Sequence, residues 1–179
     1  MRKTERYRIR EEANALWHVY DTVSFFKVMK CFIVIQIGRV TPVMRWKNWL
    51  YRTFLKMDIG DRVSLALMVM PDSMFPERIT IGDNSIVGFN TTILAHEYLV
   101  DEYRLGDVII GKNVMIGANS TILPGVTIGD GAIVSAMTLV HKDVPAGSMV
   151  GGNPMQIIFT KEEMDARKAA DVPVWVKEK

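Results

Sequence analysis

The sequence predicts a mainly β protein: a left-handed parallel β-helix with N-terminal helices before it and a C-terminal helix after it. Three observations predict it. A six-residue period runs from Ile59 to about Pro154. Within it Gly, Asn and Asp recur at fixed offsets. Outside it the apolar residues follow helical spacing. The expected boundaries are 1–58 for a helical segment, 59–158 for the β-helix, and 159–179 for a final helix and tail.

The repeat reads in sixes: IGDRVS from Ile59, then LALMVM and PDSMFP, with four further residues to Thr80. IGDNSI, VGFNTT and ILAHEY start at Ile81; IGKNVM, IGANST and ILPGVT at Ile110; IGDGAI, VSAMTL and VHKDVP at Ile128. Position one is Ile, Val or Leu in eleven of these twelve hexads, Pro71 being the exception, so it stacks inward as a continuous core. Position five is mostly small or β-branched and points into the same narrow interior, as at Val63, Ser85, Thr91 and Val114. Position four holds Asn84, Asn90, Asn113, Asn119, Gly125, Gly131 and Asp143. These residue types tolerate the left-handed backbone that a corner needs. Three hexads make one triangular coil, and successive coils pair as parallel strands about 4.8 Å apart.

Upstream, the basic stretch MRKTERYRIR is expected to be frayed. From Glu11 a helix is predicted, with Leu16, Val19, Tyr20 and Val23 on one face. A second helix spans Phe25 to Ile37 and ends at Gly38, with Pro42 blocking continuation. A third runs from Val43 to Met57, with Trp46, Trp49, Leu50 and Phe54 on one side. At the other end, Thr160-Lys161-Glu162-Glu163 fits a capping box, so a helix runs to about Ala170 before Pro173.

Composition limits the function. Apolar residues make up 49% and charged residues 23%, which is globular rather than disordered. The lone Cys31 sits in an apolar run and reads as a buried thiol in a reducing compartment, so a cytoplasmic location is expected. No signal peptide is evident. The apolar run to Ile37, extended back to Val23, contains Lys27 and Lys30, so no membrane-spanning segment is expected. The net charge of +2 divides into +8 for residues 1–57 and −6 for 58–179. No nucleic-acid motif accompanies the basic part, so no nucleic-acid partner is expected; a peripheral membrane contact through residues 1–57 is the alternative partner.

The period breaks after Tyr98. The coil that starts at Ile81 restarts only at Ile110, so eleven extra residues, Leu99 to Ile109, leave the prism as a loop. Loops standing off a rigid scaffold carry function disproportionately. His96 precedes the loop and holds a position-four corner, where the repeat otherwise prefers Asn, Gly or Asp. A residue that breaks a local rule is a functional candidate. His18 reads as structural or exposed, and His141 as outward-facing.

The segments ITIGDNSIVGFNTTILAH, IGKNVMIGANSTILPGVTIGDGAIVSA and KDVPAGSMVGGNP resemble the hexapeptide-repeat acyltransferases, in the branch of maltose/galactoside O-acetyltransferases and xenobiotic acetyltransferases. The resemblance covers roughly residues 59–158. It implies an acetyl-CoA-dependent O-acetyltransferase, with acetyl-CoA as co-substrate in a groove between subunits of a homotrimer. By position it makes His96 the general base. It puts Ala118 and Ala136 along the cofactor arm, His141 and Lys142 near its phosphate end, and Gly151, Gly152 and Asn153 in the turn after the last coil. Three departures weigh against a simple sugar acceptor: Met115 where the family commonly has Trp, the apolar hexad LALMVM where sugar enzymes tend to carry Asn, and Gln156 where some members have Arg.

A thioester is already activated, so the step needs a base and no metal. Neutral imidazole suits that role near neutral pH. Glu97, Asp72 or a backbone carbonyl would hold its tautomer. Lys142 and Lys112 are available for a basic rim. Asp72, Glu97 and Met74 are the expected acceptor-side residues, since Met68, Met70 and Met74 would make an adaptable apolar surface for a small sugar-like, xenobiotic or envelope acceptor. Two alternatives belong to other classes. A zinc hydratase of the γ-carbonic anhydrase type needs three histidines, and the repeat supplies His96 and His141. A non-enzymatic membrane-surface or assembly protein would rest on the basic, aromatic amino-terminal segment.

Overall fold

A computed structural model describes residues 2–9 and 13–170. Four coils form the prism. The first holds β2 (Asp58–Ile59), β3 (Ser64–Leu65) and β4 (Met70–Pro71); the second β5 (Ile79–Ile81), β6 (Ile86–Val87) and β7 (Thr92–Ile93). The third holds β10 (Val108–Ile110), β11 (Met115–Ile116) and β12 (Thr121–Ile122); the fourth β13 (Thr127–Ile128), β14 (Ile133–Val134) and β15 (Leu139–Val140). The strands stack as three parallel faces, β2-β5-β10-β13, β3-β6-β11-β14 and β4-β7-β12-β15. β16 (Met149–Gly151) extends the second face, and β17 (Gln156–Phe159) closes it antiparallel.

The interior follows the hexad pattern. Position-one residues such as Ile81, Ile116 and Ile128, and position-five residues such as Ser85, Thr91 and Ala132, are buried. The buried hydroxyls are paired: Ser85 Oγ donates to Gly111 O at 2.7 Å and Thr138 Oγ1 to Ser135 O at 2.6 Å. Asn84, Asn90, Asn113 and Asn119 take positive φ at the corners. Their amides form ladders, with Asn84 Nδ2 donating to Asn113 Oδ1 at 2.8 Å. Arg62, Met68 and Met137 occupy the same backbone region, so the corner tolerates side chains that the pattern did not favour.

The amino-terminal segment departs from expectation. Residues Glu5–Arg8 are not frayed; they form β1, which pairs antiparallel with β9 (Glu102–Leu105). Arg6 and Arg8 lie across from Arg104 and the buried Glu102, and the Tyr7 and Tyr103 rings stack at 4.7 Å. The helix predicted from Glu11 begins outside the described residues and is otherwise a 3-10 turn, Ala15–His18, followed by α1 (Val19–Thr22). It stops because Val23 turns extended and Ser24 caps the next helix, accepting from Lys27 N.

That helix, α2 (Phe25–Val40), runs through Gly38 rather than ending there. A Cβ on Gly38 would stand 2.3 Å from the Tyr51 ring, so this glycine makes room for a buried tyrosine. Helix α3 (Met44–Leu50) continues into a wider π-type turn, Tyr51–Leu55, and Lys56 ends it with a positive φ. Its amphipathicity is inverted: Trp46 and Trp49 face outward, and Lys47 and Asn48 are buried.

The end of the prism explains the inversion. No coil precedes the first, so carbonyls on its outer edge lack strand partners. Lys47 Nζ donates to Leu65 O at 2.9 Å and to Ala66 O at 3.0 Å. Asn48 Nδ2 donates to Val63 O at 2.8 Å, and Arg52 donates to Ile59 O and Gly60 O. The polar side of the helix caps the solenoid. At the opposite end Thr160 and Glu163 exchange the expected capping-box bonds and open α4 (Lys161–Ala170). Pro173 lies outside the described residues.

Candidate active site

The excursion from the second coil is a hairpin. β8 (His96–Tyr98) leaves the prism and β9 returns, joined by a turn in which Leu99 N donates to Glu102 O at 2.8 Å. β1 completes a three-stranded sheet, β1-β9-β8. His96 therefore stands at the root of the hairpin. It does not take the left-handed corner expected for position four, because the chain departs there in extended form.

β4 pairs with β7, with Pro71 opposite Ile93, so the residues that follow these strands lie on neighbouring coils. Asp72 is thereby brought to His96, and its carboxylate accepts the His96 Nδ1 proton at 2.6 Å. Four backbone N–H groups hold the same carboxylate. Met74 N and Phe75 N donate to Oδ1, each at 2.8 Å; Ala95 N and His96 N donate to Oδ2 at 2.7 and 3.1 Å. Burial would raise the Asp72 pKa, but the His96 bond and charge and the Phe75 and Met74 N–H groups outweigh it and hold the pKa below the ordinary value. An ionised Asp72 fixes the Nδ1–H tautomer and leaves Nε2 to the cleft. The Phe75 and Tyr98 rings meet the imidazole edge-on at 5.9 and 5.5 Å and hold its plane.

A stability prediction follows from the carboxylate. Its folded pKa lies below its unfolded value of about 3.9. Asp72 therefore contributes stability that is complete above the unfolded pKa and is lost as pH falls through the folded one. Thermal unfolding followed from neutral to acid pH should show a steeper acid decline for the wild type than for Asp72→Asn.

His96 lines a cleft of about 480 Å³ with Arg2, Leu16, Leu94, Tyr98, Leu99 and Arg104. The cleft corrects two expectations. Asp72 has no exposed side chain, so it supports the histidine and cannot touch an acceptor. Met74 is half-buried against the core, and the apolar wall comes from Leu16, Leu94, Tyr98 and Leu99 instead of the methionines. Glu97 lines the cleft but is not the partner of His96; it accepts from Arg2 at 2.8 Å, and its Oε2 is buried with no hydrogen-bond partner among the described residues.

The expected cofactor residues are not among those lining this cleft, but the cleft of His141 shares Arg2 and Arg104 with it. Ala118 and Ala136 sit on adjoining coils along one edge, close enough that a Cβ on Gly117 would meet Ala136 N at 2.3 Å. His141 lines a second, basic cleft of about 350 Å³ with Arg2, Thr4, Arg6 and Arg104. Lys142, Gly152 and Asn153 are exposed, whereas Lys112 is tied to Asp83 at 2.9 Å.

Sequence reasoning missed Arg2, Arg104 and the whole of β1. The signal was present: Arg6, Tyr7, Arg8 and Ile9 alternate with period two, as do Glu102, Tyr103, Arg104 and Leu105.

Residues 107–142 match the family described as bacterial transferase hexapeptide (six repeats). The chain is 69% identical over 167 residues to the protein named "Putative acetyltransferase YvoF" of Bacillus subtilis (strain 168), covering 93% of this chain and 96% of that one. A protein of Staphylococcus aureus (strain MRSA252) with the same kind of name is 52% identical over 144 residues, 80% of this chain and 89% of its own. The fold is shared with the hexapeptide-repeat acetyltransferase VCA0836 of Vibrio cholerae O1 biovar eltor, solved with acetyl coenzyme A: TM-score 0.64, 24% identity, 75% of this chain and 87% of that one. With its repeat, its prism and a relative matched over nearly its whole length, the chain belongs to the hexapeptide-repeat acetyltransferases.

Proposed function

We propose that this chain transfers the acetyl group of acetyl-CoA to a hydroxyl of a small acceptor, with His96 as the general base. The observation that carries the reading is the Asp72–His96 pair: a buried carboxylate sets the tautomer, and the other ring nitrogen is left to an open cleft. The acceptor O–H gives its proton to Nε2 as its oxygen attacks the thioester carbonyl. The C–S bond then breaks, and the imidazolium returns the proton to the departing thiolate. Backbone N–H groups of an adjoining coil or subunit meet the oxyanion.

Ala118, Ala136, Gly152 and Asn153 are the residues proposed to receive the co-substrate, with His141 and Lys142 at its phosphates. A homotrimer with sites between subunits is proposed. The outward row Ile86, Met115, Ile133 and Met149 on the β6-β11-β14-β16 face supports it, since it offers a second chain apolar surface.

The leucine and tyrosine walls favour an acceptor with an apolar part. Free-CoA release should be measured with acetyl-CoA across sugars, apolar alcohols, hydroxylated antibiotics and envelope precursors. Release is expected to be fastest with a partly apolar hydroxyl compound. Maltose or galactosides turned over as fast as any apolar alcohol would overturn the acceptor reading. No release with any acceptor, together with no acetyl-CoA binding by calorimetry, would overturn the function.

A further inference from the structure

We infer that the outward face of α2 and α3 docks on an anionic lipid bilayer surface. Helix α2 carries apolar side chains on two sides. Cys31, Val34 and Ile35 pack inward, yet Phe26, Met29, Ile33, Ile37 and Val40, at spacings of three and four, form a second stripe that points away from the protein. Phe26 is 83% exposed. An apolar stripe on a helix ordinarily faces a core, and this second one does not. Helix α3 adds to the face, because its polar side is committed to the first coil; Trp46 is left 73% exposed and Trp49 58%. An uncovered apolar surface of this extent marks an interaction site.

Charge identifies the occupant. Of the seven Lys and Arg in residues 13–57, Lys47 is buried, Arg52 is bound to Ile59 O and Gly60 O, and Lys27 is paired with Glu77; the one acid of the segment is Asp21. Lys30 is exposed on α2 and follows Met29, Arg45 is exposed on α3 and precedes Trp46, and Lys56 is exposed at the end of the turn after α3. Exposed aromatic and aliphatic side chains with cations interspersed suit the boundary between acyl chains and anionic headgroups. The same cations disfavour a second copy of this chain on the face, because a self-complementary contact would bring like charges together. The helices lie on the bilayer rather than cross it. The 16 residues of α2 span about 24 Å, short of the roughly 30 Å hydrocarbon core. Among the described residues no helix is long and apolar enough to cross.

Flotation of the full chain with vesicles of phosphatidylglycerol and phosphatidylcholine, at low and high salt, tests this. The wild type should float at low salt, less at high salt, and weakly with phosphatidylcholine alone. A Phe26→Glu/Trp46→Glu double variant touches no core residue and should lower the bound fraction roughly tenfold or more, with its mass by light scattering unchanged. Absence of wild-type flotation, or a double variant that floats as well as wild type, would overturn the proposal. So would a fall in oligomeric mass in the variant, which would assign the face to contact between copies.

Discussion

Replacing His96 with Ala is expected to lower kcat about 10²- to 10⁴-fold, with KM little changed, because the base acts in the transition state rather than in binding. Asp72→Asn should lose nearly as much, although Asp72 has no exposed surface in the cleft. Its two oxygens accept five hydrogen bonds, all from N–H groups. An amide has only one oxygen. Turned one way, its NH₂ faces Met74 N and Phe75 N; turned the other, it faces Ala95 N, His96 N and His96 Nδ1. The second placement makes Nδ1 the acceptor and moves the proton to Nε2, so that the nitrogen facing the acceptor can no longer take a proton. A buried Asp→Asn change behind a catalytic histidine costs about 10⁴ in kcat in serine proteases for this tautomeric reason. Steady-state CoA release by the two variants, with circular dichroism to confirm folding, checks both. Full turnover by a folded Asp72→Asn protein would remove Asp72 from the mechanism.

The largest stability effect is expected at Lys47. Its ammonium is buried, and desolvation lowers its pKa. Removing it relieves that cost, but it also strands the carbonyls of Leu65 and Ala66, which have this donor at the prism end. Each charge-assisted bond contributes about 1.5–3 kcal/mol, and each stranded buried carbonyl costs about 1–3 kcal/mol. The relieved desolvation offsets only part of this. Lys47→Met, which keeps the apolar stem, should destabilise by roughly 2–4 kcal/mol. Urea unfolding measures it. A midpoint equal to wild type would show that solvent or backbone movement satisfies those carbonyls.

The prism was legible in the sequence because its constraints are local and repeat. An inward side chain and a left-handed corner recur every six residues, so Ile81, Asn84 and Ser85 announce their places without reference to anything distant. His96 was legible as an exception to that rule. The sheet beside it was not, since β1 and β9 lie almost a hundred residues apart, and each is too short and too charged to read as buried structure alone. Only once they pair do the Arg6–Glu102 contact and the stacked Tyr7 and Tyr103 rings compensate for ordering them.

The amino-terminal helices divide in the same way. Their existence followed from apolar spacing and from the stops at Gly38 and Pro42, though Gly38 was a packing site and not an end. Their orientation did not follow. Apolar spacing grouped Trp46, Trp49, Leu50 and Phe54 on one side without fixing where that side faces. The first coil decided it, because its outer carbonyls take Lys47, Asn48 and Arg52 as donors and so turn Trp46 and Trp49 outward. The sequence by itself determined the coil, its corners and the histidine that interrupts them. Only the tertiary structure decided that Asp72, and not Glu97, would hold that histidine. Two residues 24 apart become neighbours there through the pairing of β4 with β7, and the charge of Glu97 is already committed to Arg2.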